Sequence, residues 1–95
     1  MKIRFTREAR RHLIEIRSYI ARNNETAAGN VVSRIRQVIM IFERFPLLGR
    51  EGRVPGTREF PIPGMSYTVV YRIASETELQ ILAIIHQRMQ YPLEA

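Results

Sequence analysis

YTVVYRIASETELQILAII, residues 67–85, is the stretch whose reading decides the fold. Tyr67, Val69, Tyr71 and Ile73 alternate with Thr68, Val70 and Arg72, which predicts a strand with one apolar and one mixed face. Leu79 to Ile85 is almost continuously apolar, as expected of a central strand covered on both sides. Ser75 to Thr77 supplies the polar turn between them, so the two runs form a hairpin. Upstream, residues 46–64 hold Pro46, Pro55, Pro61 and Pro63 together with Gly49, Gly52, Gly56 and Gly64. That is loop chemistry, with room for one short strand around Thr57 to Pro61.

Further out, the period changes from two to 3.6. Ala9, Leu13, Ile16 and Ile20 fall on one face of a helix from about Arg7 to Arg22, with Tyr19 at its margin. Thr6 offers an N-cap oxygen, and Glu8 places a negative charge in the first turn, where the helix dipole favours it. Asn23 and Asn24 end this helix, and a second begins near Glu25 or Thr26. Its stripe of Ala28, Val31, Val32, Ile35, Val38, Ile39 and Phe42 runs on until Pro46 forbids continuation. At the start, Ile3 and Phe5 alternate with Lys2 and Arg4, which suits an edge or near-edge strand. The predicted fold is α+β. An N-terminal strand and a two-helix hairpin precede a three-stranded antiparallel segment that completes one small sheet, and residues 1–95 make a single domain.

The charge is unevenly made and unevenly spread. Lys2 is the sole lysine among 15 cations, all nine anions are Glu, and the formal net charge is +6. Residues 1–50 carry a net +7 and residues 51–95 a net −1. Arginine suits bidentate contact with phosphates or carboxylates, so the excess points to nucleic acid or an acidic protein, unless it reflects a compositional bias toward Arg. There is no cysteine, which excludes disulfides, thiolate metal sites and a cysteine nucleophile. No apolar run approaches a membrane span and the first residues lack the apolar stretch of a signal peptide, so a cytoplasmic protein with no membrane partner is expected.

Few residues offer chemistry. With no Asp or Cys and only His12 and His86, no metal site is expected, and neither glycine pattern for phosphate binding occurs. His12, flanked by Arg10 and Arg11 on a helix, is read as a solvated surface residue. The remaining candidates are Arg58, Arg72, His86, Arg88 and Tyr91. Residues at strand ends and in the following loops commonly line a concave sheet face, so these could converge. Cleavage of RNA by its own 2′-hydroxyl needs a proton acceptor, a proton donor and a cation, roles open to His86, Tyr91 and Arg58 or Arg88. The alternative is structural: His86 closes a strand against backbone and the arginines pair with Glu51, Glu59 or Glu76.

Several motifs fall in a familiar order: Tyr19-Ile20-Ala21, Phe45-Pro46-Leu47-Leu48-Gly49, Val54-Pro55-Gly56-Thr57-Arg58-Glu59, Tyr67-Thr68-Val69-Val70-Tyr71-Arg72-Ile73 and Ile81-Leu82-Ala83-Ile84-Ile85-His86-Gln87-Arg88. Together they make the chain resemble the ParE/RelE toxin superfamily of type II toxin-antitoxin systems over nearly its whole length. The Pro-Gly-Thr-Arg-Glu segment and the His-x-Arg ending resemble the ParE branch. The resemblance implies a small sheet against a helical hairpin, no cofactor, and a cognate antitoxin that wraps the toxin and neutralises it. It also implies one of two poisons: inhibition of DNA gyrase by ParE-like members, or ribosome-dependent cleavage of mRNA by RelE-like ones. The nuclease branch typically has lysines after the second helix and an arginine in the strand that here reads Tyr67 to Ile73. This chain has Arg50 and Arg53 but no lysine there, and Thr68 at that strand place.

The expectation is therefore a ParE-like gyrase inhibitor, with a RelE-like endoribonuclease acting on the ribosome and mRNA as the alternative. On the first reading Arg58, Arg72, His86, Arg88 and Tyr91 are target-binding candidates; on the second, Arg58, His86, Arg88 and Tyr91 form the catalytic set. Arg10, Arg17, Arg34 and Arg36 are expected to feel the field of a disordered acidic antitoxin segment.

Overall fold

The computed structural model describes residues 1–87. In chain order they form β1 (Lys2–Phe5), α1 (Arg7–Ala21), α2 (Glu25–Ile41), β2 (Arg50–Glu51), β3 (Arg58–Pro61), β4 (Tyr67–Ile73) and β5 (Glu78–His86). One five-stranded sheet has the order β1-β5-β4-β3-β2. The hairpin at its centre is the predicted one. β4 and β5 pair antiparallel, and Ala74 N–H closes the turn on the Glu78 carbonyl at 2.9 Å. β1 lies at one edge and pairs parallel with β5, the connection passing through both helices.

Both helices cover one face. Ala9, Leu13 and Ile16 of α1 and Ile35, Val38 and Ile39 of α2 pack with Phe42 against Val69, Tyr71, Leu79, Ile81 and Ile84. The other face carries a smaller buried cluster of Val70, Ala83 and Ile85. This is why residues 79–85 read as continuously apolar: β5 is buried on both faces.

The structure departs from the sequence reading in two places. The antiparallel part of the sheet has a fourth strand, β2, two residues long and polar on both sides, too short to leave any periodicity. And α2 stops at Ile41, before Pro46. Phe42, Glu43 and Arg44 donate to carbonyls three residues back, at 3.0, 3.2 and 3.1 Å. The chain thus tightens into a 3₁₀-like turn, as the residue before a proline is pushed out of the helical region.

Candidate functional site

The seam between α1 and β5 is built from two polar side chains. β1 pairs with β5 only as far as Phe5 opposite Ile81, and a register shift at Val70/Tyr71 leaves Leu82 without a cross-strand partner. Backbone groups beyond that point need other partners. Thr6 caps α1 by accepting from Ala9 N–H at 3.2 Å, while its own hydroxyl donates to the Ile81 carbonyl at 3.0 Å. One turn on, His12 Nδ1 accepts from Ile84 N–H at 3.1 Å, and Nε2 faces Glu8 Oε1 at 3.3 Å. His12 is therefore buried and structural, not the solvated residue its arginine neighbours suggest. The signal was present in its spacing: position 12 lies between 9 and 16 on the apolar stripe.

A second polar assembly fixes the loop after α2. The Tyr71 ring stacks on Phe42 with centroids 4.3 Å apart, and its hydroxyl donates to the Pro46 carbonyl at 2.7 Å and accepts from Gly49 N–H at 2.8 Å. Burial pushes the Tyr71 phenol above its ordinary pKa, although the Gly49 hydrogen bond and Arg58 pull the other way. A Cβ at Gly49 would lie 2.8 Å from the Tyr71 ring and 3.1 Å from the Glu59 carbonyl, so a side chain there cannot coexist with this contact. Arg58 adds a guanidinium clamp, donating to the Gly49 carbonyl at 2.6 Å and the Leu47 carbonyl at 3.4 Å. The Pro46-Leu47-Leu48-Gly49 motif is thus the part of the loop that Tyr71 and Arg58 hold.

The third assembly stands on the opposite face. Glu59, fully buried, accepts from Arg53 N–H at 2.9 Å and from the Arg53 guanidinium at 3.2 and 3.3 Å. Burial opposes its ionisation, but the Arg53 bonds and the charges of Arg53 and Arg50 prevail and lower its pKa below 4.5. The β2–β3 connection that carries Arg53 is shaped by a type II turn: Thr57 N–H meets the Val54 carbonyl at 3.1 Å, with Pro55 and then Gly56 at φ +82.

Arg58, Arg72 and His86 do not converge. Arg58 stands opposite Tyr71 and His86 opposite Tyr67, which separates them by about 13 Å along β4 and about 10 Å across the sheet. Arg72 points to the other face and donates to Gln80 at 2.9 Å. His86 packs edge-to-face on Tyr67, centroids 5.7 Å apart, at the mouth of a cleft of about 760 Å³ between α1 and the end of β5. Arg88 and Tyr91 lie outside the described residues. Among those residues no group of His, Cys, Asp or Glu could hold a metal, and no helix is long and apolar enough to cross a membrane.

Three of the four arginines read as antitoxin contacts do come together. Arg10, Leu13, Ile14 and Arg17 occupy one face of α1 and Val32 and Arg36 one face of α2. With Phe5 they line a groove of about 460 Å³ between the helices. Its floor is apolar and three guanidinium groups surround it, with Arg36 lying 5.8 Å from the Phe5 ring centre. Arg34 is on another side of α2, where it donates to the Pro63 carbonyl at 3.5 Å.

Comparison with known proteins adds three likenesses. A family model described as ParE toxin of type II toxin-antitoxin system, parDE, matches residues 3–91. The Y4kP protein of Sinorhizobium fredii, itself described as a candidate toxin, is 37% identical over 91 residues, which cover 96% of this chain and 93% of that one. Among solved structures, the chromosomal ParDE toxin-antitoxin system from P. aeruginosa superposes with a TM-score of 0.80 at 25% identity, over 90% of this chain and 95% of that one. The toxin-antitoxin complex RelBE2 from Mycobacterium tuberculosis superposes with a TM-score of 0.66 at 26% identity, over the same shares.

Proposed function

The chain belongs to the ParE toxin family of type II toxin-antitoxin systems, and on that premise we propose that it poisons DNA gyrase by binding and is held inactive by a cognate antitoxin. The observation that carries the choice of binding over cleavage is the separation of Arg58 from His86, which takes Arg58 out of the nuclease set and leaves the cation role to Arg88 alone. Acid–base cleavage of RNA requires a proton acceptor and a phosphorane-stabilising cation within reach of the same few atoms. Here Arg58, on β3, is committed to the Gly49 and Leu47 carbonyls, while His86 stands on Tyr67 at the far end of β5. A protein-binding poison needs no such convergence. The higher TM-score against the ParDE toxin-antitoxin system than against RelBE2 points the same way.

The antitoxin segment fits the groove between α1 and α2. An acidic amphipathic segment would set apolar side chains on Phe5, Leu13, Ile14 and Val32 and carboxylates beside Arg10, Arg17 and Arg36. The RelBE2 likeness supports a second reading, a ribosome-dependent endoribonuclease that uses His86, Arg88 and Tyr91.

The deciding experiment runs purified toxin in two assays, gyrase supercoiling and message cleavage on translating ribosomes. Inhibited supercoiling with intact message is the expected result. Normal supercoiling at saturating toxin, together with cut message that His86→Ala abolishes, would establish the second reading instead.

A further inference from the structure

Exposed apolar surface is concentrated in one place. Of the nine large apolar side chains exposed among the described residues, Met40, Ile41, Phe45, Leu47 and Leu48 all fall within residues 40–48. Phe45 is 60% exposed and Leu47 64%, so these side chains stand out from the surface and do not line a groove. A concentration of this kind marks an interaction surface.

The backbone beneath them is held. Phe45 N–H bonds to the Ile41 carbonyl at 3.0 Å and Leu48 N–H to the Phe45 carbonyl at 3.1 Å. At the base, Tyr71 and Arg58 grip the carbonyls of Pro46, Leu47 and Gly49. A loop fixed in this way presents its apolar groups at little further cost in conformational entropy on binding.

We infer that residues 40–48 form a rigid apolar knob that the toxin inserts into an apolar cleft of its protein target, with Phe45 and Leu47 as the anchors. Two features select this occupant over nucleic acid and a second copy. The charged residues of the segment 40–51, Glu43, Arg44, Arg50 and Glu51, sum to zero, whereas a nucleic-acid surface needs a cation excess. The +6 of the whole chain opposes pairing of two copies, and two projecting surfaces would meet over little area. The knob adjoins the groove proposed for the antitoxin, because Met40 follows Arg36 by one turn on the same side of α2. An antitoxin segment running one turn past Arg36 would reach Met40 at the edge of the knob and block its docking without contacting Phe45 or Leu47, so neutralisation and target contact would compete.

The inference rests on the reading of the toxin as a poison that binds a protein, and its test separates the two. The double variant Phe45→Ser/Leu47→Ser changes only exposed side chains. It is expected to raise the toxin concentration that half-inhibits gyrase about tenfold or more, while antitoxin affinity and thermal midpoint stay near wild type. The same variant, expressed without antitoxin, should relieve growth arrest whatever the target is. Unrelieved growth arrest overturns the knob. Relieved arrest with wild-type toxin inactive on gyrase keeps the knob and rejects gyrase as the target. Lost antitoxin binding with retained toxicity would make the antitoxin the occupant, and a wild-type dimer that the variant splits without loss of toxicity would make it a second copy. Either result overturns the proposal.

Discussion

Ile84 points its N–H off the edge of β5 where β1 has already ended, and the acceptor it finds is an imidazole nitrogen. His12 can accept there only while Nδ1 is unprotonated, which puts its proton on Nε2, facing Glu8. Burial and then the neighbouring Arg11 charge lower the pKa of His12 below 6.5, with Glu15 opposing. Because the folded chain holds this proton less readily than the unfolded one, the contribution is complete above about pH 6.5 and is lost as pH falls through the folded-state value. Urea unfolding should therefore show stability falling as pH drops below about 6.5. His12→Leu leaves Ile84 N–H buried without a partner, at a cost of about 1–3 kcal/mol at neutral pH, and should show a smaller acid-induced loss. An equal loss in wild type and variant would assign the titration to another group. Sequence read His12 as a solvated residue on a helix. Only the end of β1 made it an acceptor, since the edge it serves belongs to a strand 72 residues away.

At the scale of elements, the helices and the β4–β5 hairpin were readable because each satisfies its own backbone and repeats its apolar positions at its own period. β2 and the loop after α2 were not, because their geometry is set by partners elsewhere in the chain. The loop's conformation depends on one phenol: Tyr71 serves Pro46 and Gly49 at once. Tyr71→Phe keeps the stack on Phe42 but removes both bonds, and is expected to lower unfolding stability by about 1–3 kcal/mol in urea. Exchange of Gly49 N–H with solvent should also accelerate, locating the damage in the loop. A variant with unchanged stability and unchanged exchange would show that Arg58 holds the loop alone. Alternation put Tyr71 on the apolar face, and a buried tyrosine needs a partner for its hydroxyl. Which carbonyl provides it was beyond the reach of periodicity.

Across the whole molecule, the arginine excess of the first 50 residues resolves into a place. Arg10, Arg17 and Arg36 meet over an apolar floor although α1 and α2 contribute them separately, while Arg34 does not join them. Reversing the three together, as Arg10→Glu, Arg17→Glu and Arg36→Glu, should slow association with the antitoxin by about tenfold or more at low salt. The difference should shrink as salt is raised, because exposed charges are screened. Antitoxin association unaffected by the triple reversal would remove the groove from the interface. Sequence by itself determined the order of the elements other than β2, the apolar faces, the α+β class and the resemblance to ParE/RelE toxins, all of which depend on local periodicity and motif order. Tertiary structure alone decided that Arg58 clamps a loop, that His12 closes a strand edge, and that Arg58, Arg72 and His86 stand on separate parts of the sheet. Those roles depend on strand register and on where β1 ends, and register is fixed by the packing of the two faces, which no single segment contains.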